Sequence, residues 1–276
     1  HALDAHNTAQ NIYGPSEITI NDIADHIKYL PLVLLDSLRV SYRRKNNIHN
    51  DLPALKIKNK PDYIKRNFHF QTGGYFSKYS ARLYEQQVEI LFSGTAAAMR
   101  RLLIEDIKKV LKTKKKIKIL ELAAGTGAAT KDFMKSFDYS HYVVSDISSE
   151  YLSIAQKKIN DSHIEFVTTC AESLPFKDNS FDLVFSIYLF HEIPSKVREM
   201  VLAESFRVLK QGGVIGICDS LQKNDVPILN PILAQFPLDY HEPFYKNYTV
   251  WNAQSALTKA GFKDTHSRFK LLSKYF

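Results

Sequence analysis

The segment from Ile117 to Thr130 constrains the fold more than any other part of the chain. Its sequence is Ile-Lys-Ile-Leu-Glu-Leu-Ala-Ala-Gly-Thr-Gly-Ala-Ala-Thr. It begins as a short apolar run typical of a buried parallel strand, breaks at Gly125 and Gly127, and continues as a predicted helix to Ser136. A strand, a glycine turn and a helix are the opening of a mononucleotide-binding βαβ unit. Because glycine has no Cβ, the main chain can turn sharply there and a ligand can lie against it.

Strand and helix patterns alternate from this segment to the C-terminus. Apolar runs predict strands over 117–122, 142–146, 164–168, 181–188 and 214–218, and helices over 148–160, 195–209 and 249–260. Two further strand-like runs, 262–268 and 269–276, have no helix between them. This order predicts an α/β fold with a Rossmann-like, doubly wound, mostly parallel sheet. The last two strands must make its C-terminal edge antiparallel.

Residues 1–114 are predicted to form a helical N-terminal cap or lid on a ligand-binding domain of residues 115–276. Apolar side chains lie on one helical face, and Pro31 is expected to kink or split that helix. The residues of this face are Ile23, Ile27, Leu30, Leu34 and Leu38. The segment 67–78 is aromatic and carries a glycine pair. It could be a lid or a packing loop, and the sequence does not separate the two.

The composition is typical of a globular protein, with an excess of basic over acidic residues. The 276 residues are 45% hydrophobic and carry a formal net charge of +8, enough apolar content for one substantial core. Much of the excess charge lies in a lysine run over 108–118, which is typical of a solvated helix end. Two distant cysteines indicate neither a disulfide framework nor a zinc site, so a cytoplasmic location is expected.

The apolar runs and the N-terminal residues give no sign of a membrane span or a signal peptide. No run reaches the length of a membrane span, so no span is expected. The first ten residues lack the apolar core of a signal peptide, and a start without Met suggests that the chain has been trimmed. The oligomeric state cannot be predicted from the sequence.

The glycine turn favours a nucleoside ligand without a phosphate. A dinucleotide fold has a third glycine, where this chain has Thr130, and a Walker loop needs Gly-Lys-Ser/Thr, whereas Ala128 follows Gly127. Glu121 places an acidic group at the end of the strand, which suits a ligand with a cationic amino-acid end. Asp146 closes the second strand, where it could accept hydrogen bonds from both ribose hydroxyls.

Four segments in order carry a family resemblance. They are Glu121–Gly127, Val143–Ser148, Ala171–Phe176 followed by Asn179–Asp182, and Arg207–Gly213. The chain resembles class I S-adenosylmethionine-dependent methyltransferases, specifically the small-molecule group typified by ubiquinone/menaquinone-biosynthesis methyltransferases. Two positions depart from the family pattern. Ala123 stands where many members have the first glycine, and Cys170 where an Asp commonly contacts the adenine amino group.

The resemblance implies methyl transfer from S-adenosylmethionine to a small molecule, leaving S-adenosylhomocysteine. The acceptor would attack the sulfonium methyl in line, held by the cap and the loops after strands four and five. The implied cofactor-binding residues are Glu121, Ala123, Gly125, Gly127, Asp146, Ile147, Ala171, Glu172, Ser186 and Tyr75. His191 and His241 are the candidate catalytic residues, because a histidine can act as a base or orient the acceptor. The candidate acceptor-binding residues are Tyr84, Glu192, Glu242 and Tyr245.

Three other functions compete with this interpretation. The basic balance would favour a nucleic-acid methyltransferase, but the site after strand four has Ser186-Ile187-Tyr188-Leu189 in place of a base-gripping motif, so no nucleic-acid partner is expected. A protein methyltransferase and a cofactor-binding pseudoenzyme or regulator remain alternatives. The repeated His-Glu pairs at 191–192 and 241–242 invite a metal interpretation. The spacing does not require one, and no metal is predicted.

Overall fold

The computed structural model describes residues 2–14, 20–112 and 114–276, and a seven-stranded sheet lies at its centre. The strands are β1 (Ile117–Leu122), β2 (Tyr139–Asp146), β3 (Ile164–Thr168), β4 (Phe181–Ile187), β5 (Leu209–Ser220), β6 (Arg268–Lys270) and β7 (Ser273–Tyr275). Their order is β3-β2-β1-β4-β5-β7-β6. Strands β1 to β5 are parallel, whereas β7 is antiparallel to both β5 and β6. The predicted Rossmann-like sheet with an antiparallel edge is confirmed.

Helices flank the sheet and cover its faces. They are α1 (Ala2–Ala9), α2 (Ile20–Lys45), α3 (Ala54–Ile57), α4 (Lys78–Leu91), α5 (Ala96–Leu111), α6 (Thr130–Ser136), α7 (Ser149–Lys158), α8 (Ser195–Val208), α9 (Asn230–Asp239), α10 (Tyr245–Tyr248) and α11 (Ala253–Ala260). None of the helices in the described ranges is both long and apolar enough to cross a membrane.

The core lies on both faces of the central strands because their side chains alternate in direction. On one face, Leu103 and Ile107 of α5 pack with Ile119. On the other, Leu120 packs with Leu202 of α8. Helix α5 approaches the sheet closely at Gly216, where a Cβ would lie 2.8 Å from Ile107 Cδ1.

Two element boundaries differ from the sequence prediction for local reasons. Strand β5 begins at Leu209, but Phe181 of β4 pairs with Leu209 while Leu183 pairs with Val214. Residues 210–213, which the sequence placed before the strand over 214–218, therefore form a bulge inside it. Helix α11 begins at Ala253 because the Asn252 side chain accepts a hydrogen bond from Ser255 N at 2.9 Å, which satisfies a free donor of the first turn.

The long cap helix α2 departs most from its predicted form. It continues through Pro31 without being split. The apolar residues Ile27, Leu30, Leu34 and Leu38 are exposed, and Ile27 is 71% accessible. The Ile23 side chain lies outside the described residues. The predicted kink or split at Pro31 is wrong, and the described residues of the apolar face lie on the outside of the helix.

Polar side chains occupy the buried face of α2 instead. Asp36 is 1% exposed and accepts hydrogen bonds from Thr72 and Gln87. Arg43 donates to Thr72 at 2.8 Å and to Asp51 at 2.9 Å. These bonds compensate the desolvation of the two charged groups and orient the helix.

Candidate active site

The main cleft lies at the carboxyl ends of β1 and β4, where the strand order reverses. The chain moves outward from β1 through β2 to β3 on one side, and from β4 to β5 on the other. Such a switch point leaves a crevice between the two loops, and ligands of open α/β sheets bind there. The space between its walls, including the solvent-filled mouth, is about 800 Å³. Its lining includes Tyr63, Tyr75, Tyr84, Ala123, Gly125, Ser145, Asp146, Ile147, Tyr151, Thr169, Cys170, Ala171, Glu172, Ile187, Tyr188, Leu189 and Glu192.

Asp146 is the carboxylate at the centre of this cleft. Its Oδ2 accepts a hydrogen bond from Gly125 N at 2.8 Å and its Oδ1 accepts one from Ser148 N at 2.7 Å. Burial nevertheless raises the pKa of Asp146 to about 6, because desolvation disfavours the charged form more than the two bonds favour it. Asp146 is thus held rigidly against the glycine turn.

Two residues of the turn after β1, Ala123 and Gly125, line the cleft and have a positive φ. Gly125 has a φ of +58° and Ala123 a φ of +53°. The left-handed region suits glycine but strains alanine, so Ala123 keeps a strained main chain and presents its Cβ to the cleft. Gly127 has another role: a Cβ there would lie 3.0 Å from Ala155 Cβ in α7. It allows helix and turn to pack closely.

Two of the predicted cofactor residues are buried beside the cleft rather than lining it. Glu121 accepts hydrogen bonds from Thr130 Oγ1 and Tyr142 OH, both at 2.7 Å, and burial raises its pKa to about 7. Its hydrogen bond from Thr130, the first residue of α6, fixes the start of that helix to β1. Ser186 pairs with Leu122 across β1 and β4, and its buried Oγ has no hydrogen-bond partner among the residues that the structure describes.

The N-terminal cap covers the cleft through hydrogen bonds to its rim. Tyr63 OH donates to Glu172 at 2.7 Å, Tyr75 OH donates to Glu192 at 2.5 Å, and Lys60 Nζ donates to the Ile147 carbonyl at 2.5 Å. The aromatic segment 67–78 also packs: Phe68 and Phe76 are buried in a cluster with Tyr151 of α7. The segment both fills the cap and closes one side of the cleft.

His191 lies in the turn after β4 and is not among the residues that line the cleft. Its Nδ1 lies 2.6 Å from Asp219 Oδ1 at the end of β5, and its ring lies edge-on to Tyr245. Burial alone would lower the pKa of His191, but the Asp219 carboxylate outweighs it and raises the pKa to about 9. His191 is thus a buried cation at neutral pH. The Tyr245 hydroxyl is bound to Ser220 Oγ at 2.6 Å.

Glu192, Glu242 and His69 come together at the edge of the cleft. His69 Nε2 lies 3.3 Å from Glu192 Oε1 and 3.1 Å from Glu242 Oε1. Burial raises the pKa of Glu242 to about 7. The neighbouring His241 does not join them. It stacks on His49 with ring centroids 4.2 Å apart, and burial, aided by His49, lowers its pKa to about 4.

A second, largely apolar cavity adjoins the cleft. It lies between α2 and α4, and its lining includes Val33, Val40, His69, Gln71, Tyr84, Val88, Ile90, Leu91 and Tyr240. Tyr84 lines both spaces. His69 lines the cavity and contacts Glu192, which lines the cleft. The wall between the two spaces is therefore formed by single side chains, those of Tyr84, His69 and Glu192.

Some of the site residues predicted from the sequence line the cleft and others do not. Those that line the cleft are Ala123, Gly125, Asp146, Ile147, Ala171, Glu172, Tyr75, Tyr84 and Glu192. Glu121, Gly127, Ser186, His191, His241, Glu242 and Tyr245 are absent from that lining. Sequence reasoning missed Tyr63, His69 and Asp219. The only signal for His69 was its place in the aromatic segment 67–78.

Comparison with known proteins gives the family. Residues 119–213 match the family described as a methyltransferase domain. The demethylmenaquinone methyltransferase of Thermotoga maritima is 32% identical over 159 residues, which are 55% of this chain and 66% of that protein. The fatty-acid O-methyltransferase of Mycolicibacterium smegmatis is 30% identical over 121 residues, which are 44% of this chain and 43% of that protein. The chain thus spans less than two thirds of either relative.

A solved structure supports the fold. Phosphoethanolamine N-methyltransferase 2 of Haemonchus contortus, in complex with phosphomonomethylethanolamine and S-adenosylhomocysteine, superposes with a TM-score of 0.51 at 17% identity. The superposition covers 70% of this chain and 46% of that one.

The cleft fits the ligand of this family. It offers a carboxylate for ribose hydroxyls at the end of β2 and apolar side chains for a base. Among the residues that the structure describes, no lysine or arginine lines the cleft to bind a phosphate. Residues 119–213 are thus a methyltransferase domain, and the chain is similar to the class I S-adenosylmethionine-dependent methyltransferases, including the ubiquinone/menaquinone-biosynthesis C-methyltransferases, whose cofactor S-adenosylmethionine fits this cleft.

Proposed function

We propose that the chain transfers the methyl group of S-adenosylmethionine to a small-molecule acceptor with an apolar body. The observation that carries the proposal is the thin wall between the cleft and the apolar cavity. Tyr84 borders both spaces, and the His69–Glu192 contact bridges them. An acceptor in the cavity would bring a polar end group to the cleft while its apolar body stays between α2 and α4.

The cleft supplies the donor half of the site. S-adenosylmethionine brings an electrophilic methyl group on a sulfonium, so the protein needs mainly to place the two reactants. Asp146 would hold the ribose, and Ser186 Oγ would meet the amino-acid end of the cofactor near the glycine turn. Tyr63 and Tyr75 of the cap, bonded to Glu172 and Glu192, would reduce the access of water to this space. Placement alone can supply about 7–11 kcal/mol of the barrier.

The cavity supplies the acceptor half. Val88, Leu91 and Val33 give it an apolar wall, whereas its end toward the cleft is polar. Burial of an apolar body there would contribute about 25 cal/mol per Å². The two curated relatives carry names that specify a fatty acid and a demethylmenaquinone, both largely apolar molecules. His191, charged at neutral pH, would orient Asp219 and the loop rather than take a proton.

The direct test is transfer of a labelled methyl group. The full chain is incubated with S-adenosylmethionine labelled in the methyl group and, separately, with a lipid extract, a polar metabolite extract, nucleic acid and protein. We expect label in the lipid extract. Label that appears only in nucleic acid or only in protein would overturn the proposal. Binding of S-adenosylhomocysteine without transfer to any fraction would identify a pseudoenzyme instead.

A matched pair of variants tests the cavity. Val88→Trp fills it, whereas Val110→Trp adds the same bulk to an exposed position of α5. We expect Val88→Trp to raise the KM for the acceptor by about tenfold or more, since about 1.4 kcal/mol of lost binding is a factor of ten. Its affinity for S-adenosylmethionine, measured by calorimetry, should match that of Val110→Trp. Equal transfer by the two variants would exclude this cavity as the acceptor site.

A further inference from the structure

The cluster of His69, Glu192 and Glu242 has the geometry of a ligand set. Each residue offers one ligand atom, and these atoms all lie within 4.8 Å of one another. The two distances from His69 Nε2 are 3.3 Å and 3.1 Å. Ligand atoms bound at about 2.0–2.2 Å to one ion lie about 3 Å apart when they are adjacent in its coordination shell. The observed spacing therefore suits a bare ion among the three side chains.

Glu242 provides an independent observation. The residue is 1% exposed, yet neither of its carboxylate oxygens has a hydrogen-bond donor among the residues that the structure describes. The approach of His69 at 3.1 Å is not aligned as a hydrogen bond. A buried carboxylate without a donor costs several kcal/mol. Both carboxylate oxygens of Glu242 are therefore available to bind a cation in the cluster.

The orientation of the other two side chains fits the same role. Tyr75 OH donates to Glu192 Oε1 at 2.5 Å, which fixes that carboxylate in the way that outer-shell partners fix metal ligands. His69 comes from a backbone with a φ of +55°, and its ring meets Tyr240 edge-on. The three side chains come from the cap, the turn after β4 and the loop before α10. A bound ion would connect these segments.

The ligand set indicates which ion would bind. His69 Nε2 lies 3.3 Å from Glu192 Oε1 and 3.1 Å from Glu242 Oε1. One imidazole with two carboxylates is a mixed set that suits Zn²⁺ or Mn²⁺ better than Mg²⁺, which prefers oxygen ligands alone.

We propose that His69, Glu192 and Glu242 form a binding site for one divalent metal ion of the Zn²⁺ or Mn²⁺ class. The sequence predicted no metal, because the spacing of the two His-Glu pairs does not require one. In the structure the glutamates of both pairs enter the cluster, and His69 takes the place of the two histidines. Three protein ligands leave positions open on the ion. If the proposed function holds, an oxygen of the acceptor would occupy one of them at the wall between cavity and cleft.

Metal binding is tested without donor or acceptor, so its outcome is independent of methyl transfer. The full chain, free of any polyhistidine tag, is treated with chelator and titrated with Mn²⁺, with the free ion followed by electron paramagnetic resonance. A parallel titration with Zn²⁺ is read by metal analysis after dialysis. Thermal unfolding is recorded with and without each ion. We expect one equivalent to bind and to raise the melting temperature.

Three variants make the test specific. Glu242→Gln and His69→Gln should each weaken binding by about tenfold or more, since even outer-shell changes cost that much. His141→Gln removes an exposed His–Glu pair with a 3.2 Å contact to Glu165 and should bind like the wild type. Lack of stoichiometric binding by the wild type would overturn the proposal, as would equal binding by Glu242→Gln. The trio would then be an ion-pair cluster with a bridging histidine.

Discussion

Ala123→Gly should stabilise the protein, although glycine usually does the opposite. Ala123 has a φ of +53° in the turn after β1. A left-handed conformation costs a residue with a Cβ about 1–2 kcal/mol, and glycine is free of that cost. Glycine in turn adds about 0.4–1 kcal/mol of conformational entropy to the unfolded chain. The difference leaves a net gain of about 0.5–1 kcal/mol in the free energy of unfolding.

The neighbouring residue provides the control. Ala124 is absent from the residues with positive φ and packs against the core, so Ala124→Gly has no strain to relieve. It should lose about 1 kcal/mol from the glycine entropy and the missing methyl group. Urea unfolding at constant pH measures both variants, and the midpoint shifts should have opposite signs.

The same variant also reports on the cofactor site. The Cβ of Ala123 borders the cleft, so its removal lets a ligand lie closer to the main chain. The affinity for S-adenosylmethionine, measured by calorimetry, should not decrease. Equal destabilisation by Ala123→Gly and Ala124→Gly would refute the strain argument. A loss of cofactor affinity in Ala123→Gly alone would refute the placement of the turn against the ligand.

Two buried carboxylates lead to predictions about pH. The folded pKa of Glu121 is raised to about 7, so the wild type loses stability as pH rises through this value, while Glu121→Gln does not. Between pH 5 and pH 8 the variant should gain about 2–3 kcal/mol relative to wild type in urea unfolding, and a constant difference would contradict the raised pKa. Asp146 has a pKa of about 6. Calorimetry should show S-adenosylmethionine affinity falling up to about tenfold from pH 7 to pH 5, and Asp146→Asn should be weaker but independent of pH. An equal pH dependence in Asp146→Asn would point to another group.

The donor half could be predicted because its residues follow one local pattern. Gly125 and Asp146 stand at the carboxyl ends of adjacent parallel strands, and the strand-turn-helix order places both at the switch point. Glu121 was misplaced by the same reasoning. Side chains alternate along β1, and Glu121 shares the face of Ile119, where Thr130 and Tyr142 bind it. Its carboxylate therefore lies beneath α6 instead of at the sheet edge.

Helix α2 could not be oriented from its own sequence. Its exposed face carries more apolar side chains than its buried face, so the apolar periodicity alone does not indicate which face packs against the protein. The buried face is held by bonds from Asp36 and Arg43 to Thr72, Gln87 and Asp51. Those partners lie on other segments of the cap. A helix whose contacts are polar and distant in sequence carries no periodic signal of them.

The acceptor half shows why chemically conspicuous residues can mislead. His191 and Glu192 are neighbours in one tight turn after β4, so their side chains leave it in different directions. Asp219, at the end of β5, binds His191 at 2.6 Å, and Glu192 is thereby left to face Tyr75 and the cleft. The direction of each side chain is thus decided 28 residues further along the chain. The sequence named both residues as candidates, His191 for catalysis and Glu192 for acceptor binding, and of the two only Glu192 lines the cleft.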